Sequence, residues 1–338
     1  MRTGETISSH AYETRVGGKG ANQAIAIVRA GGTVQFYGII GRDGIWIRDS
    51  MMKCGIDVGG IIVSDVSGPS FVAFYSDDYY QEPTGRAIIQ VNDETGENSI
   101  GKPCIYPPRY RSTPIMVVSF LLLVLFPGAN HTKLHEAQFV KNSEGWFPET
   151  THLLLQNEIH LESTHYALLN AKNATVILNP SPLPSASEIR EFPWHKVDWL
   201  VVNETEAEGL YLSMMGMEGS PSPSAPTREV LILLSAQPLF KKTNIVCTLG
   251  ADGVLAFIPR FHRPSTHEAP PSFIYLPAAK LRGEIRDSTG AGDCFTGYFV
   301  QGLMEFGPRA VVGKDIKELD FTRLLKRCVY VSDRALGV

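Results

Sequence analysis

Along the chain, short apolar runs that end in Gly, Asn, Gln or Glu alternate with stretches whose apolar residues recur every three or four positions. The run Val34-Gln35-Phe36-Tyr37-Gly38-Ile39-Ile40 predicts a buried strand ending at Gly41, and residues 43–54 predict a helix before Gly55-Ile56-Asp57. Three later runs share one form. His152-Leu153-Leu154-Leu155 ends in Gln156-Asn157-Glu158, Thr175-Val176-Ile177-Leu178 ends in Asn179-Pro180, and Asp198-Trp199-Leu200-Val201-Val202 leads into Asn203-Glu204-Thr205-Glu206. Each reads as a strand with polar groups at its carboxyl end, where α/β proteins place ligand-binding side chains. Residues 244–254 give a strand, a glycine turn and a second strand.

The helical stretches sit between these runs. Ala21, Ala24, Ile25 and Val28 mark one face of a helix closed by Gly31-Gly32, and Phe295, Tyr298, Phe299 and Leu303 mark another that opens after Gly290-Ala291-Gly292. Residues 324–330 are helical in pattern again. Alternation of this kind predicts an α/β chain with a mostly parallel sheet. Three stretches depart from it. Residues 70–75 and 86–91 read as two short strands around a polar loop at 77–85, residues 214–227 as a Gly/Ser/Pro-rich surface loop between two helices, and residues 260–271 as loop. Residues 101–123 carry Pro103, Pro107, Pro108 and Pro114, then an apolar run over 115–126 that falls short of the roughly 20 residues needed to span a bilayer.

Composition narrows the classes. The 338 residues suffice for one large α/β domain or two small ones, and 43% hydrophobic with 20% charged content is ordinary for a globular protein. A net charge of −4 without a basic stripe argues against nucleic acid as a partner, and no run is long enough to argue for a membrane. The five cysteines, Cys54, Cys104, Cys247, Cys294 and Cys328, form no C-x-x-C pair, which argues against zinc and a disulfide framework. No secretory leader is legible, so a cytosolic or nuclear setting is expected.

The chemistry concentrates at Asp287-Ser288-Thr289-Gly290-Ala291-Gly292-Asp293-Cys294-Phe295-Thr296-Gly297. A tight turn of small residues opening a helix presents unpaired N–H groups at the positive end of the helix dipole, a cradle for phosphate. Asp293 inside that cradle makes sense as a base taking a proton from an attacking hydroxyl. A glycine-rich turn capped by Asp is the plainer reading. Gly17-Gly18-Lys19-Gly20-Ala21-Asn22-Gln23-Ala24 lets a ligand approach the backbone, with Lys19 and Asn22 supplying hydrogen-bonding groups; a glycine-capped helix start is the alternative. It is neither G-x-G-x-x-G nor G-x-x-x-x-G-K-[ST], so a Rossmann dehydrogenase and a P-loop enzyme are disfavoured. Asn203 and Glu206 share one face of a helical first turn and suit Mg²⁺ through its waters, or form a cap. Glu158 also reads as a cap.

Residues 17–24 and 287–297 resemble the N- and C-terminal signatures, respectively, of the ribokinase-like (PfkB) carbohydrate kinases. The resemblance implies a single domain, a three-layer αβα sandwich with a mostly parallel central sheet and a small β-sheet lid near residues 70–100. It implies transfer of the γ-phosphoryl of ATP to the O5 hydroxyl of D-ribose, with Asp293 as base and Gly290, Ala291 and Gly292 shaping the anion cradle. Gly18, Lys19, Gly20, Ala21, Asn22, Glu158 and Asp293 then contact the sugar. Asn203 and Thr248-Leu249-Gly250-Ala251-Asp252-Gly253, with Gly292 and Asp293, hold the nucleotide. Glu206 joins the Mg²⁺ network, and Asp287 with Thr289 matches a K⁺ site. A homodimer formed through the lid is implied too. Another sugar or nucleoside kinase of the family, or a non-catalytic nucleotide-binding relic, remains open.

The resemblance also marks departures. Gly4-Glu5-Thr6-Ile7 resembles the segment after the family's first strand, so that strand is expected to be missing here. Residues 101–123 have no counterpart and read as a retained intron or a membrane-touching loop. Arg334-Ala335-Leu336-Gly337 is a weak echo of the family's Arg-x-Gly-Ala loop, so part of the adenine pocket and of the cation loop is expected to be absent.

Overall fold

A computed structural model describes residues 14–64, 84, 86–87, 90–91, 98–99, 125–126, 150–217, 226–263, 271–279 and 290–335. The first element is helix α1 (Lys19–Arg29), which turns its buried Ala21, Gln23, Ala24, Ala26 and Ile27 inward. Strand β1 (Gln35–Gly41), helix α2 (Ile45–Lys53) and strand β2 (Asp57–Ser64) follow, and β1 and β2 form a parallel two-stranded sheet. Ala21, Ala24, Met51 and Ile56 close a small core between α1, α2 and this pair.

Four two-residue strands come next: β3 (Arg86–Ala87), β4 (Gln90–Val91), β5 (Asn98–Ser99) and β6 (Leu125–Phe126). They pair antiparallel as β3 with β6 and β4 with β5. The single strand expected over 86–91 is therefore two strands with different partners. The strand expected at 70–75 and residues 101–123 lie outside the described residues.

The main sheet is built from β7 (His152–Gln156), β8 (Thr175–Asn179), β9 (Trp199–Asn203), β10 (Asn244–Thr248), β11 (Val254–Phe257) and β12 (Ile274–Leu276), in the order β12-β11-β10-β9-β8-β7. β7 to β10 run parallel, and β11 and β12 add antiparallel strands at one edge. Helices α3 (Leu161–Asn170), α4 (Ala186–Glu191), α5 (Glu204–Met214), α6 (Thr227–Ala236), α7 (Pro259–His262), α8 (Ala291–Glu305) and α9 (Glu318–Ala335) complete the α-helices among the described residues. Alternate residues of β9 show why three layers form. Leu200 and Val202 pack into a core with α3, α4, α5 and α6, whereas Trp199 and Val201 join a second core with α8 and α9. Successive strand side chains point to opposite faces, so a parallel strand covered on both sides must be apolar throughout. Burying each such Val or Leu side chain contributes about 1.5–3 kcal/mol.

Two expectations need correction. Residues 260–262 belong to α7 rather than to a loop: Pro259 starts the turn and the buried His262 Nδ1 accepts the Ile258 N–H at 2.8 Å, which satisfies a donor the turn leaves free. The C-terminal helix extends well beyond 324–330. Phe321, Leu324, Leu325 and Cys328 give α9 a buried stripe, and the helix carries on through Arg334 and Ala335, where a loop echo was expected.

Candidate active site

The parallel strands end in a row of polar residues. Gln156 faces Asn179 across β7 and β8, and Asn203 faces Thr248 across β9 and β10. Two helices point their N-terminal turns at this edge. α1 and α8 approach closely because position 297 has no side chain: a Cβ on Gly297 would sit 2.4 Å from the Ala26 Cβ, 2.7 Å from the Gln23 carbonyl oxygen and 3.1 Å from the Ile27 nitrogen. Backbone therefore packs on backbone, and the first turns of the two helices share their side chains.

Asp293 lies in that shared space. It is 7% exposed, in the first turn of α8, behind Gly290, whose φ of 80° only glycine adopts without strain. Its Oδ2 accepts from Asn22 Nδ2 at 2.9 Å and its Oδ1 from Gln23 Nε2 at 2.9 Å. Gln23, 0% exposed, also donates to Asn179 Oδ1 at 3.0 Å and accepts from Gln156 Nε2 at 2.6 Å. Asn179 in turn donates to the Val201 carbonyl at 2.9 Å. A Cβ added at Gly290 or Gly292 would meet no described atom within 4 Å, so the described residues leave the start of α8 uncrowded. Four N–H groups without intrahelical partners at such an end attract an anion.

On the α1 side, the Lys19 backbone N–H donates to Glu158 Oε2 at 2.6 Å, and a Cβ on Gly18, at φ 89°, would lie 3.5 Å from that oxygen. Burial pushes the Glu158 carboxyl above the ordinary carboxylate range; the Lys19 N–H and ammonium oppose the rise and the Asp293 charge adds to it. Gly18, Lys19, Gly20, Asn22, Glu158 and Asp293, singled out from the sequence, thus come together, whereas Ala21 turns its side chain into the small core with Met51 and Ile56. Gly20 also lies between Gln156 Oε1 and the Phe36 ring, each 3.2 Å from an added Cβ.

The other predicted residues line the adjacent strand ends. Thr248 closes β10, Leu249 leads into a short turn over Gly250, Ala251 and Asp252, and Gly253 at φ 99° starts the return strand against the backbone of Leu276 and Ala278. Asn203 and Glu206 form a capping box: Asn203 Oδ1 accepts the Glu206 N–H at 2.8 Å and Glu206 Oε2 accepts the Asn203 N–H at 3.0 Å. One oxygen of each is thus engaged, and among the described residues no group of three or more His, Cys, Asp and Glu is arranged to hold a metal. This donor set fits Mg²⁺ held through its own waters and a ligand's phosphates, not a protein cage. Asp287 and Thr289 lie outside the described residues.

Gln23, Gln156 and Asn179 were missed as site residues. Their signal was present, since Gln156 and Asn179 end strands and Gln23 follows Asn22, but an amide in a motif does not reveal what it faces. No described helix is long and apolar enough to cross a membrane.

Ligand groups along the carboxyl ends of a parallel sheet, met by a glycine loop and a helix start that holds a buried aspartate, define an α/β phosphotransferase of ribokinase-like fold. The comparisons agree. The sequence model of the pfkB family carbohydrate kinases matches residues 2–101 and 122–319. Ribokinase of Haemophilus influenzae is 31% identical over 312 residues, covering 90% of this chain and 79% of its own. A crystal structure of ribokinase from Cryptococcus neoformans in complex with ADP is 34% identical, with a TM-score of 0.71, covering 100% of this chain and 88% of its own. Ribokinase of Arabidopsis thaliana, solved with ribose and ATP, shares the fold at 21% identity and a TM-score of 0.60, covering 99% of this chain and 86% of its own. The chain belongs to the pfkB family of carbohydrate kinases, and it is a kinase.

Proposed function

We propose that this kinase transfers the γ-phosphoryl group of ATP to the O5 hydroxyl of D-ribose, giving D-ribose 5-phosphate and ADP. One observation carries the reading: a buried aspartate, held on both carboxylate oxygens by the Asn22 and Gln23 amides of α1, lies in the first turn of a helix that opens at Gly290. The ribokinases similar to this chain support the choice of sugar and nucleotide.

In this reading Gly18, Lys19, Gly20, Ala21 and Asn22 with Glu158 hold the sugar so that O5 meets Asp293. Asp293 takes the O5 proton as the new O–P bond forms and the bond to the ADP oxygen breaks. The N–H groups of residues 290–293 stabilise the negative charge on the transferring group without reorganising. Thr248, Leu249, Gly250, Ala251, Asp252, Gly253 and Asn203 seat the nucleotide. Asn203 and Glu206 would hold Mg²⁺ through its waters, and the ion would supply positive charge against the phosphates. The reading includes a K⁺ site at Asp287 and Thr289, a homodimer formed through the lid, and a cytosolic or nuclear setting.

The test is ADP release with ribose, fructose, 2-keto-3-deoxygluconate and adenosine as acceptors. Ribose is expected to give the highest kcat/KM, and a preference for another acceptor overturns the substrate assignment. Asp293→Ala is expected to lower kcat about 10²- to 10⁴-fold with ATP binding retained, since general-base help is of that size. Turnover preserved in that variant removes the base from Asp293.

A further inference from the structure

Gln23 is buried beside the candidate base, and its role follows from the polarity of its bonds. The Val201 carbonyl accepts from Asn179 Nδ2, which turns Asn179 Oδ1 toward Gln23. Gln23 Nε2 spends its two hydrogens on Asn179 Oδ1 and Asp293 Oδ1, leaving Oε1 to accept from Gln156 Nε2. An amide nitrogen has two donors, and an ionised carboxylate only accepts, so each orientation in this chain is forced by its neighbours. Every group of Gln23 is matched only while Asp293 stays an acceptor.

The two carboxylate oxygens are not equivalent. The bond from Gln23 to Oδ1 is fully buried, whereas Asn22, which bonds Oδ2, is half-buried. A carboxylate held by Asn22 alone turns about its Cβ–Cγ bond; with a donor on each oxygen its plane is set. We propose that Gln23 is a positioning residue for the kinase reaction: it ties Oδ1 to the protein interior through the Asn179 and Gln156 amides and leaves Oδ2 as the oxygen that takes the substrate proton. The proton leaves the sugar hydroxyl for Oδ2 as the O–P bond forms and the ADP oxygen departs with its electron pair. This rests on the proposed function for its chemistry, and on the hydrogen-bond geometry alone for the position of the carboxylate.

Gln23→Met keeps the length of the side chain and removes its amide. It is expected to lower kcat about 10- to 100-fold, as misplacement of a reacting group does, with KM for ribose and ATP within about threefold of wild type. Leu234→Ala, in the core on the far side of the sheet, serves as the stability control: it lowers the melting midpoint while kcat at 25 °C stays within about twofold. Wild-type kcat in Gln23→Met, or a loss no larger than that of the control at equal melting midpoint, overturns the proposal. Should the methionine variant not fold, Gln23→Asn, whose amide is one methylene too short to reach Asp293, is held to the same split. A crystal structure of the soluble variant separates the two claims. If wild-type protein shows no sugar-dependent ADP release, the proposed function falls, and the variant's Asp293 still decides: a carboxylate turned from its wild-type plane supports positioning, and an unmoved one overturns it.

Discussion

Gly297→Ala tests whether the approach of α1 to α8 builds the site. The added Cβ would lie 2.4 Å from the Ala26 Cβ and 2.7 Å from the Gln23 carbonyl oxygen. Carbon atoms in contact sit about 3.5–4.0 Å apart, so relief requires the helices to separate by about 1 Å. No rotamer change provides that, because the Gln23 oxygen and the Ile27 nitrogen are backbone. The bonds from Asn22 and Gln23 to Asp293 are both 2.9 Å, and adding about 1 Å takes them beyond hydrogen-bonding range. Overpacking of this kind costs about 1–3 kcal/mol, which in a chain of this size is about 2–4 °C in Tm. Misplacing the base by about 1 Å lowers kcat by about 10²-fold. Initial rates of ADP release at saturating ATP and ribose, with melting curves on the same samples, read both effects. Adding Ala26→Gly removes the nearest atom but leaves the two backbone contacts, so the double variant is expected to regain part of the lost Tm and little of the lost rate. A Gly297→Ala protein with kcat within about twofold of wild type and an unchanged Tm would refute the argument that this contact sets the catalytic geometry.

Two further outcomes follow from other parts of the site. Because the native Glu158 carboxyl titrates above its unfolded value, the folded protein binds more protons than the unfolded chain between the two values, and stability declines as pH rises through that window. Glu158→Gln should flatten this part of the pH profile of urea midpoints, and an identical slope in both proteins would show that Glu158 is not its source. Gly253→Ala places a methyl 2.1 Å from the Leu276 carbonyl oxygen at a φ of 99°, so a loss of about 2–5 kcal/mol and weaker nucleotide binding are expected. Calorimetric titration with ADP that gives wild-type affinity would detach this turn from the nucleotide site.

The strand runs were legible because parallel strands covered on both faces need an apolar middle, and β7 to β10 each carry one between polar ends. The two glycine stretches were legible because a positive φ at Gly18 and Gly290 demands that residue and little else does. Helix α4 went unread, although Ser185 and Glu188 form a capping box whose spacing is visible in the sequence. The short helix α7 was missed because its stability comes from the His262 ring bonding the Ile258 N–H in the folded core. Asn203 and Glu206 were paired by spacing, yet only the coordinates show one oxygen of each spent on capping α5.

By itself, then, the order of residues determined the α/β class, the ends of the strands, the family and the aspartate at the helix start, all of which depend on local backbone chemistry and period. The tertiary structure alone decided which atoms meet. Asp293 and Gln23 stand 270 positions apart, and Gln23 and Asn179 stand 156 apart. Hydrogen bonds over such separations form only after both cores have closed and the backbones of α1 and α8 have come into contact at Gly297, and no local pattern along the chain encodes that contact.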